Sequence, residues 1–461
     1  MNILIGAQML FVAFGAMVLM PLLTGLDPSV ALFTAGLGTL LFQWITRRSV
    51  PVFLASSFVF VAPIAHGVEQ WGIPATMGAL FCTAVVYVVL GALVKWRGPG
   101  FLHRLMPPVV TGPIIMVIGL SLAPTAVNFA MGLTGNGAER VFPYGEALLV
   151  SMVALLTTML VATLAHGLFR LLPILCGVVV GYLAALALGM VDFGAVQQAS
   201  WLAVPEFVAP TFHWPAILFM VPVALAPAIE HVGDVLAISN VTGKDYIKKP
   251  GLHRTLTGDG VASMAAALFG GPPNTTYSEV TGAVMLTKVF NPVVMTWTAV
   301  FAISLAFIGK VGLLLQSIPT PVMGGILILM FGSIASVGMN TLIKARVDLH
   351  AQRNLVIVAV TLIFGIGGMV MGNGEFTLQG ISLCGLVAVI LNQILPAAPA
   401  TTDDLHEEQE YVDDLLNHAR GEGDLWEILW CLTRLMRAWG RNSSPGISSR
   451  RRRRGRACEP G

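Results

Sequence analysis

Apolar residues run along most of this chain in stretches of membrane-spanning length, broken by short polar joints and by Gly- and Pro-rich breaks. A helix needs about 20 apolar residues to cross a hydrocarbon core roughly 30 Å thick. Such runs begin near Ile3, Ser29, Pro51, Ile73, Pro107, Phe142, Leu172, Trp214, Arg254, Asn274, Pro292, Pro319, Arg353 and Leu378. The pattern predicts an all-α polytopic membrane protein with fourteen transmembrane spans. Spans three and ten depart from it. Val50 to Phe58 and Gly270 to Tyr277 are β-like or rich in breakers, and each leads into a short apolar run, so neither span reads as one continuous helix. A half-helix starting there would turn its free N–H groups toward the bilayer midplane, where an anionic or carbonyl-bearing ligand can meet them.

Composition agrees, because 461 residues with 56% hydrophobic and 11% charged side chains and a mean hydropathy of +0.80 exclude a soluble multidomain protein. The net charge of +2 says little, whereas the placement of Lys and Arg says much. With a cytoplasmic N-terminus, the cytoplasmic joints carry fourteen basic residues, from Arg47 to Arg353, against only Arg140 and Lys310 on the other side. That bias places both termini in the cytoplasm. The first apolar run follows Met1-Asn2 directly and lacks a basic leader, so no cleavable signal peptide is expected. Cys82, Cys176 and Cys384 fall within spans as small buried hydrophobes, and with Cys431 and Cys458 in the tail they form no disulfide or metal-ligand spacing.

Two segments half a chain apart resemble one another. Pro108-Val-Val-Thr-Gly-Pro-Ile-Ile-Met-Val-Ile-Gly119 and Pro321-Val-Met-Gly-Gly-Ile-Leu-Ile-Leu-Met-Phe-Gly332 share Pro, Gly and Gly at one spacing, and Leu175-Cys-Gly177 is echoed by Leu383-Cys-Gly385. Both echoes relate a span to the one seven later. An odd repeat length inverts the second copy, which predicts a 7+7 inverted repeat of the kind common in secondary transporters. After Pro396 the chain turns polar, and 397–461 reads as a cytoplasmic tail. Leu425, Ile428, Leu429, Leu432, Leu435, Met436 and Trp439 share one helical face there, for a membrane interface or for a soluble amphipathic helix. The run Arg450 to Arg454 suits anionic lipid, and nucleic acid is excluded as a partner beside fourteen spans.

The chemistry is concentrated in a few acids. Glu230 and Asp234 lie four residues apart, on one helical face, inside an apolar run. A carboxylate at membrane depth costs roughly 2.5 to 3.5 kcal/mol on insertion scales, so it is expected to line a polar cavity or a proton path. Two such groups in low dielectric repel one another and titrate as a coupled unit. The structural alternative is a polar pair facing His231, Gln8 or backbone. Glu279 is a third acid at midplane. Thr276-Tyr-Ser-Glu279 also fits a capping box, in which Thr276 caps the helix and Glu279 reaches back. His231 points about 100° away from Glu230 and is expected to pack. Gln8 in span one is either interhelical glue or part of a pocket. No metal site or cofactor is expected, and no His-Glu-x-x-His or Gly-x-Ser-x-Gly supports a membrane hydrolase, so the protein is not expected to be an enzyme.

Several of these stretches together resemble the nucleobase/ascorbate transporter family (nucleobase:cation symporter 2 type), and within it the bacterial uracil permeases. They are Gln8 to Gly15, Ser56-Ser-Phe58, Glu230-His-Val-Gly233, Pro250-Gly-Leu-His-Arg254, Asn274-Thr-Thr-Tyr-Ser-Glu279 and Pro321-Val-Met-Gly-Gly325. The likeness covers about residues 3–396. It implies a core domain of spans one to four (1–106) and eight to eleven (212–310), and a gate domain of spans five to seven (107–191) and twelve to fourteen (318–396). Short antiparallel strands in spans three and ten are implied around the substrate. By position, Glu230 and Glu279 would accept hydrogen bonds from ring N–H groups, and the backbone N–H groups of Phe58 and Ser278 would donate to ring carbonyls. Phe58 and Tyr277 would offer aromatic surface, Glu230 and Asp234 proton coupling, and Gln8 and Ser57 further pocket polarity.

The resemblance thus implies proton-coupled uptake of uracil or a related nucleobase across the inner (cytoplasmic) membrane, by alternating access and with homodimers forming through the gate domain. Asp234 stands where the uracil permeases resemble a histidine and the xanthine permeases an acid, so a xanthine or urate carrier is the alternative. Met9 replaces a histidine that often follows the span-one glutamine, which weakens a purine assignment. In the family signature, here Glu279-Val-Thr-Gly282 to Thr287-Lys288, Val280 replaces an asparagine. An anion transporter of similar architecture is a third reading, and three midplane acids argue against it. A passive channel would have no need of a titratable pair.

Overall fold

The computed structural model describes residues 2–98, 100–167, 169–373 and 376–396. The whole tail, with its expected amphipathic helix, lies outside them. The chain opens with α1 (Asn2–Thr24) and α2 (Pro28–Ile45), passes through strand β1 (Leu54–Ser56) and a 3-10 turn (Phe58–Phe60), and enters α3 (Val61–Arg97). Next come α4 (Gly100–Leu105), α5 (Pro108–Ser121), α6 (Ala123–Ala130), α7 (Tyr144–Leu164), α8 (Pro173–Ala187) and α9 (Gly194–Gln198). The second half runs through α10 (Trp214–Met220), α11 (Leu225–Thr242), α12 (Leu252–Leu268), strand β2 (Asn274–Thr276) and α13 (Ser278–Thr287). It closes with α14 (Val293–Ala306), α15 (Gly309–Gln316), α16 (Thr320–Lys344), α17 (Gln352–Ile366), strands β3 (Val370–Asn373) and β4 (Phe376–Gln379), and α18 (Gly380–Ile394).

Local chemistry sets many of these boundaries. Asp27 caps α2 by accepting from Ser29 N at 2.8 Å, and Pro28 follows at the first helical turn. Proline likewise opens α5, α8 and α16. Gly243, in the left-handed region at φ 69°, ends α11. Helix α3 and its preceding turn span 40 residues, about twice the length a bilayer requires, and break at Gly72 with φ 79°. Ahead of α11 a 3-10 turn, Val221–Ala224, interrupts what reads from sequence as one run. Among the described residues seven helices are long and apolar enough to cross a membrane, or eight if the bent pair α14 and α15 is one span. The protein is a mostly helical, multi-pass membrane protein.

The helices pack in two sets. In one, α12 lies against α2 and α3, and α14 against α1 and α2; in the other, α16 lies against α5, α6 and α7, α7 against α8, and α17 against α5 and α18. The two repeated segments meet directly, α5 against α16. A Cβ on Gly338 would lie 2.6 Å from Gly112 O, and one on Gly119 would collide with Phe331 O, so the contacts run in antiparallel order and glycine permits the approach.

The last expected span, from near Leu378, begins as α18 at Gly380, after Phe376–Gln379 has paired antiparallel with Val370–Asn373. One expectation needs correction: of the span cysteines only Cys384 is buried, whereas Cys82 and Cys176 are half-buried.

Candidate functional site

Strands β1 and β2, which lie 218 residues apart between Ser56 and Asn274, pair antiparallel with Leu54 opposite Thr276, Ala55 opposite Thr275 and Ser56 opposite Asn274. The ladder extends by Ser57 N donating to Pro273 O at 2.9 Å and Tyr277 N to Phe53 O at 3.2 Å. Three residues of ladder cannot hold themselves together, so side chains from surrounding helices supply the rest. Thr39 of α2 accepts from Leu54 N at 2.9 Å and donates to Leu54 O at 3.2 Å. On the other strand, Ser263 of α12 accepts from Asn274 N at 3.0 Å and donates to Asn274 O at 2.8 Å, while Asn274 Nδ2 donates to Thr34 O at 2.9 Å.

Each strand runs straight into a helix start. Ser57 precedes the 3-10 turn and Tyr277 precedes α13, and neither makes a side-chain capping bond. The first backbone N–H groups of these turns, those of Phe58 and Ser278 among them, therefore lack intrahelical acceptors and carry the positive end of the helix dipole. The capping-box expectation fails here. Tyr277, not Thr276, is the N-cap residue, because the Thr276 hydroxyl is drawn away to donate to Asp234 Oδ2 at 2.8 Å.

Helix α11 packs on β2 and α13 and brings the acids to this junction. Glu230 is half-buried, Asp234 is 7% exposed, and Glu279 keeps accessible surface on the first turn of α13. Asp234, Glu279 and Asp259 all lie within electrostatic reach of Glu230. Oε2 of Glu230 is buried and has no hydrogen-bond partner, and among the described residues no Lys or Arg is ion-paired with Glu230 or Glu279. A buried acceptor without a donor is expensive.

The remaining expected residues lie on the elements that meet at this junction. Phe58 is half-buried beside its helix start. Tyr277 is buried at 4% exposure and its hydroxyl donates to Ser56 O at 2.9 Å, so it ties the strands together as well as lining them. Gln8 Nε2 and Ser57 Oγ are buried without partners, and α1, which carries Gln8, packs against β1, α3 and α13. His231 is fully buried, as expected of a packed residue, and its Nδ1 lies 3.2 Å from Asp259 Oδ2. Asp259 escaped the sequence reading. Its signal was a lone acid inside Thr-Gly-Asp-Gly, in a helix whose only other charge is Arg254 near its start, to which the same burial cost applies. Among the described residues no group of three or more His, Cys, Asp and Glu is gathered as a metal site.

Comparison with known proteins decides the family. The family model Xan_ur_permease, described as "Permease family", matches residues 1–374. The chain belongs to this family, that of the nucleobase/ascorbate transporters. It is a transporter and not an enzyme. A "Probable uracil permease" of Pasteurella multocida is 57% identical over 397 residues, covering 86% of this chain and 94% of that protein. A "Uracil permease" of Bacillus caldolyticus is 46% identical over 415 residues, covering 88% and 95%. In fold, the transmembrane domain of the cyanobacterial bicarbonate transporter BicA is similar at a TM-score of 0.60 and 16% identity, over 85% of this chain and 96% of that domain.

Proposed function

We propose that this chain is a proton-coupled importer of uracil or a closely related nucleobase. The observation that carries the reading is the partnerless, buried Oε2 of Glu230 beside two uncapped helix starts. Uracil is a flat neutral ring with N–H donors and carbonyl acceptors around its edge, and carboxylates with free backbone amides match that edge. Glu230 and Glu279 accept from ring N–H groups. The N–H groups of Phe58 and Ser278 donate to ring carbonyls, Phe58 and Tyr277 give flat surface, and Gln8 and Ser57 add polarity to the pocket wall. The names of the relatives point to the same substrate class.

Asp234 is the coupling partner in this reading. Glu230 and Asp234 share a helix face in low dielectric, so a proton taken up by the pair lowers the charge that must cross with the substrate. The two packing sets supply the moving parts: α1–α3 and α10–α14 form the core, and α5–α8 and α16–α18 the gate. The antiparallel meeting of α5 and α16 and the break at Gly72 support fourteen spans in a 7+7 inverted repeat. Alternating access follows from movement of core against gate around the β1 and β2 junction. The basic-residue bias supports cytoplasmic termini in the inner membrane, and the gate is the surface for a homodimer.

Asp234 also favours a second reading, a xanthine or urate carrier, because that position resembles the acidic one of the xanthine permeases. Anion transport is disfavoured despite the BicA-like fold, since three carboxylates would repel the cargo. Uptake of labelled uracil into cells lacking their own carriers tests the proposal, with unlabelled xanthine as competitor. Saturable, uncoupler-sensitive uracil uptake that excess xanthine leaves intact is expected. Uptake of xanthine alone, or of neither base, contradicts it.

A further inference from the structure

Strand β2 has two wired faces. Successive side chains of a strand point to opposite sides. Thr276 turns to Asp234 on the site side, and Thr275 turns the other way, its hydroxyl donating to Asp259 Oδ2 of α12 at 3.4 Å. The same carboxylate oxygen stands 3.2 Å from His231 Nδ1, and both side chains are 0% exposed. His231 follows Glu230 on α11, so one turn of helix offers one residue to the site and the next to α12. The approach of His231 to Asp259 is close but off the line of a straight hydrogen bond, and His231 Nε2 and Asp259 Oδ1 have no partner. Phe42 closes the space edge-on to the imidazole, with ring centroids 6.4 Å apart. A Cβ on Gly258 would meet Phe42 Cδ2 at 2.8 Å, so α12 can come no closer with any larger residue there.

We propose that His231 and Asp259 are a positioning pair for the site. Two buried ionisable groups are costly to bury, and their best-attested use is to select one register among several apolar packings. Here the pair fixes the rotation of α11 about its own axis, which aims Glu230. Through Thr275 it also fixes β2 and, two residues on, the first turn of α13 with Ser278 and Glu279. Neither residue touches the substrate; both act through others. The binding readout below rests on the nucleobase reading of the site, and the exchange readout does not.

The test uses full-length protein purified in lipid nanodiscs. Labelled uracil binding is measured per folded molecule, together with hydrogen–deuterium exchange of residues 274–279. His231→Leu and Asp259→Ala should each raise Kd at least about tenfold and speed exchange across 274–279. His231→Asn keeps a nitrogen near the Nδ1 position and should bind within about threefold of wild type, whereas His231→Gln places its nitrogen one bond further out and should behave like the leucine variant. Wild-type Kd and exchange in His231→Leu or Asp259→Ala would overturn the proposal. So would an asparagine variant as impaired as glutamine, a comparison that stands if the leucine and alanine variants do not fold. If wild-type protein binds no uracil, the nucleobase reading fails, and the exchange rates alone decide whether the pair positions β2.

Discussion

The two halves of the strand pair have similar backbones and unlike surroundings. Strand β1, Leu-Ala-Ser, is held by two neutral hydroxyls, that of Thr39 on Leu54 and that of Tyr277 on Ser56 O, and leads to an apolar helix start at Phe58. Strand β2, Asn-Thr-Thr, is held by three polar side chains and one backbone carbonyl from three helices, Asp234 on Thr276, Asp259 on Thr275, Ser263 on the Asn274 backbone and Thr34 O on the Asn274 side chain, and leads to Glu279. One strand is scaffold. The other is hydrogen-bonded to Asp234 and Asp259 and leads into Glu279, so in the proposed function chemistry and coupling belong on its side while β1 supplies shape and backbone donors.

Substitutions can break that division. The largest losses are expected at Glu230→Gln and Glu279→Gln, each replacing a charged acceptor. A charge-assisted hydrogen bond is worth roughly 1.5 to 3 kcal/mol, so uracil affinity should fall by about 10- to 100-fold and concentrative uptake should disappear. Asp234→Asn keeps an acceptor for Thr276 but not a titratable group. It should retain binding within about fivefold while losing response to an imposed proton gradient in vesicles. Thr276→Val cuts the link between β2 and Asp234 and should cost about 1 to 2 kcal/mol, read as roughly a tenfold rise in Kd. On the other strand, Thr39→Val removes two bonds to Leu54 at a similar cost in thermal stability, yet Kd should move by less than about threefold. A Thr39→Val effect on binding as large as that of Thr276→Val would erase the distinction between the strands.

Much of this was legible in the sequence, and the exceptions have physical causes. Most span starts fell within two residues of a helix start, as at Trp214, Pro292 and Arg353, because Pro and charge mark where the apolar runs begin. The strand-like stretches around Ala55 and Thr275 stood out for lack of helical period. Their pairing across more than two hundred residues could come only from resemblance, since nothing local encodes a long-range ladder. Glu230 and Asp234 announced themselves by sharing a face. Asp259 did not, because its partner His231 is 28 positions away on another helix. The capping box at Thr276 failed for the same reason: a local pattern lost its hydroxyl to a tertiary acceptor.

The central claim is that Glu230 is an acceptor held ready for a ring N–H and for a proton. Uptake of labelled uracil by carrier-deficient cells expressing wild type or Glu230→Gln at equal membrane level, with and without a protonophore, tests it most directly. Saturable uptake that the protonophore and the substitution each abolish is the predicted result. Accumulation by Glu230→Gln at the wild-type rate would contradict it.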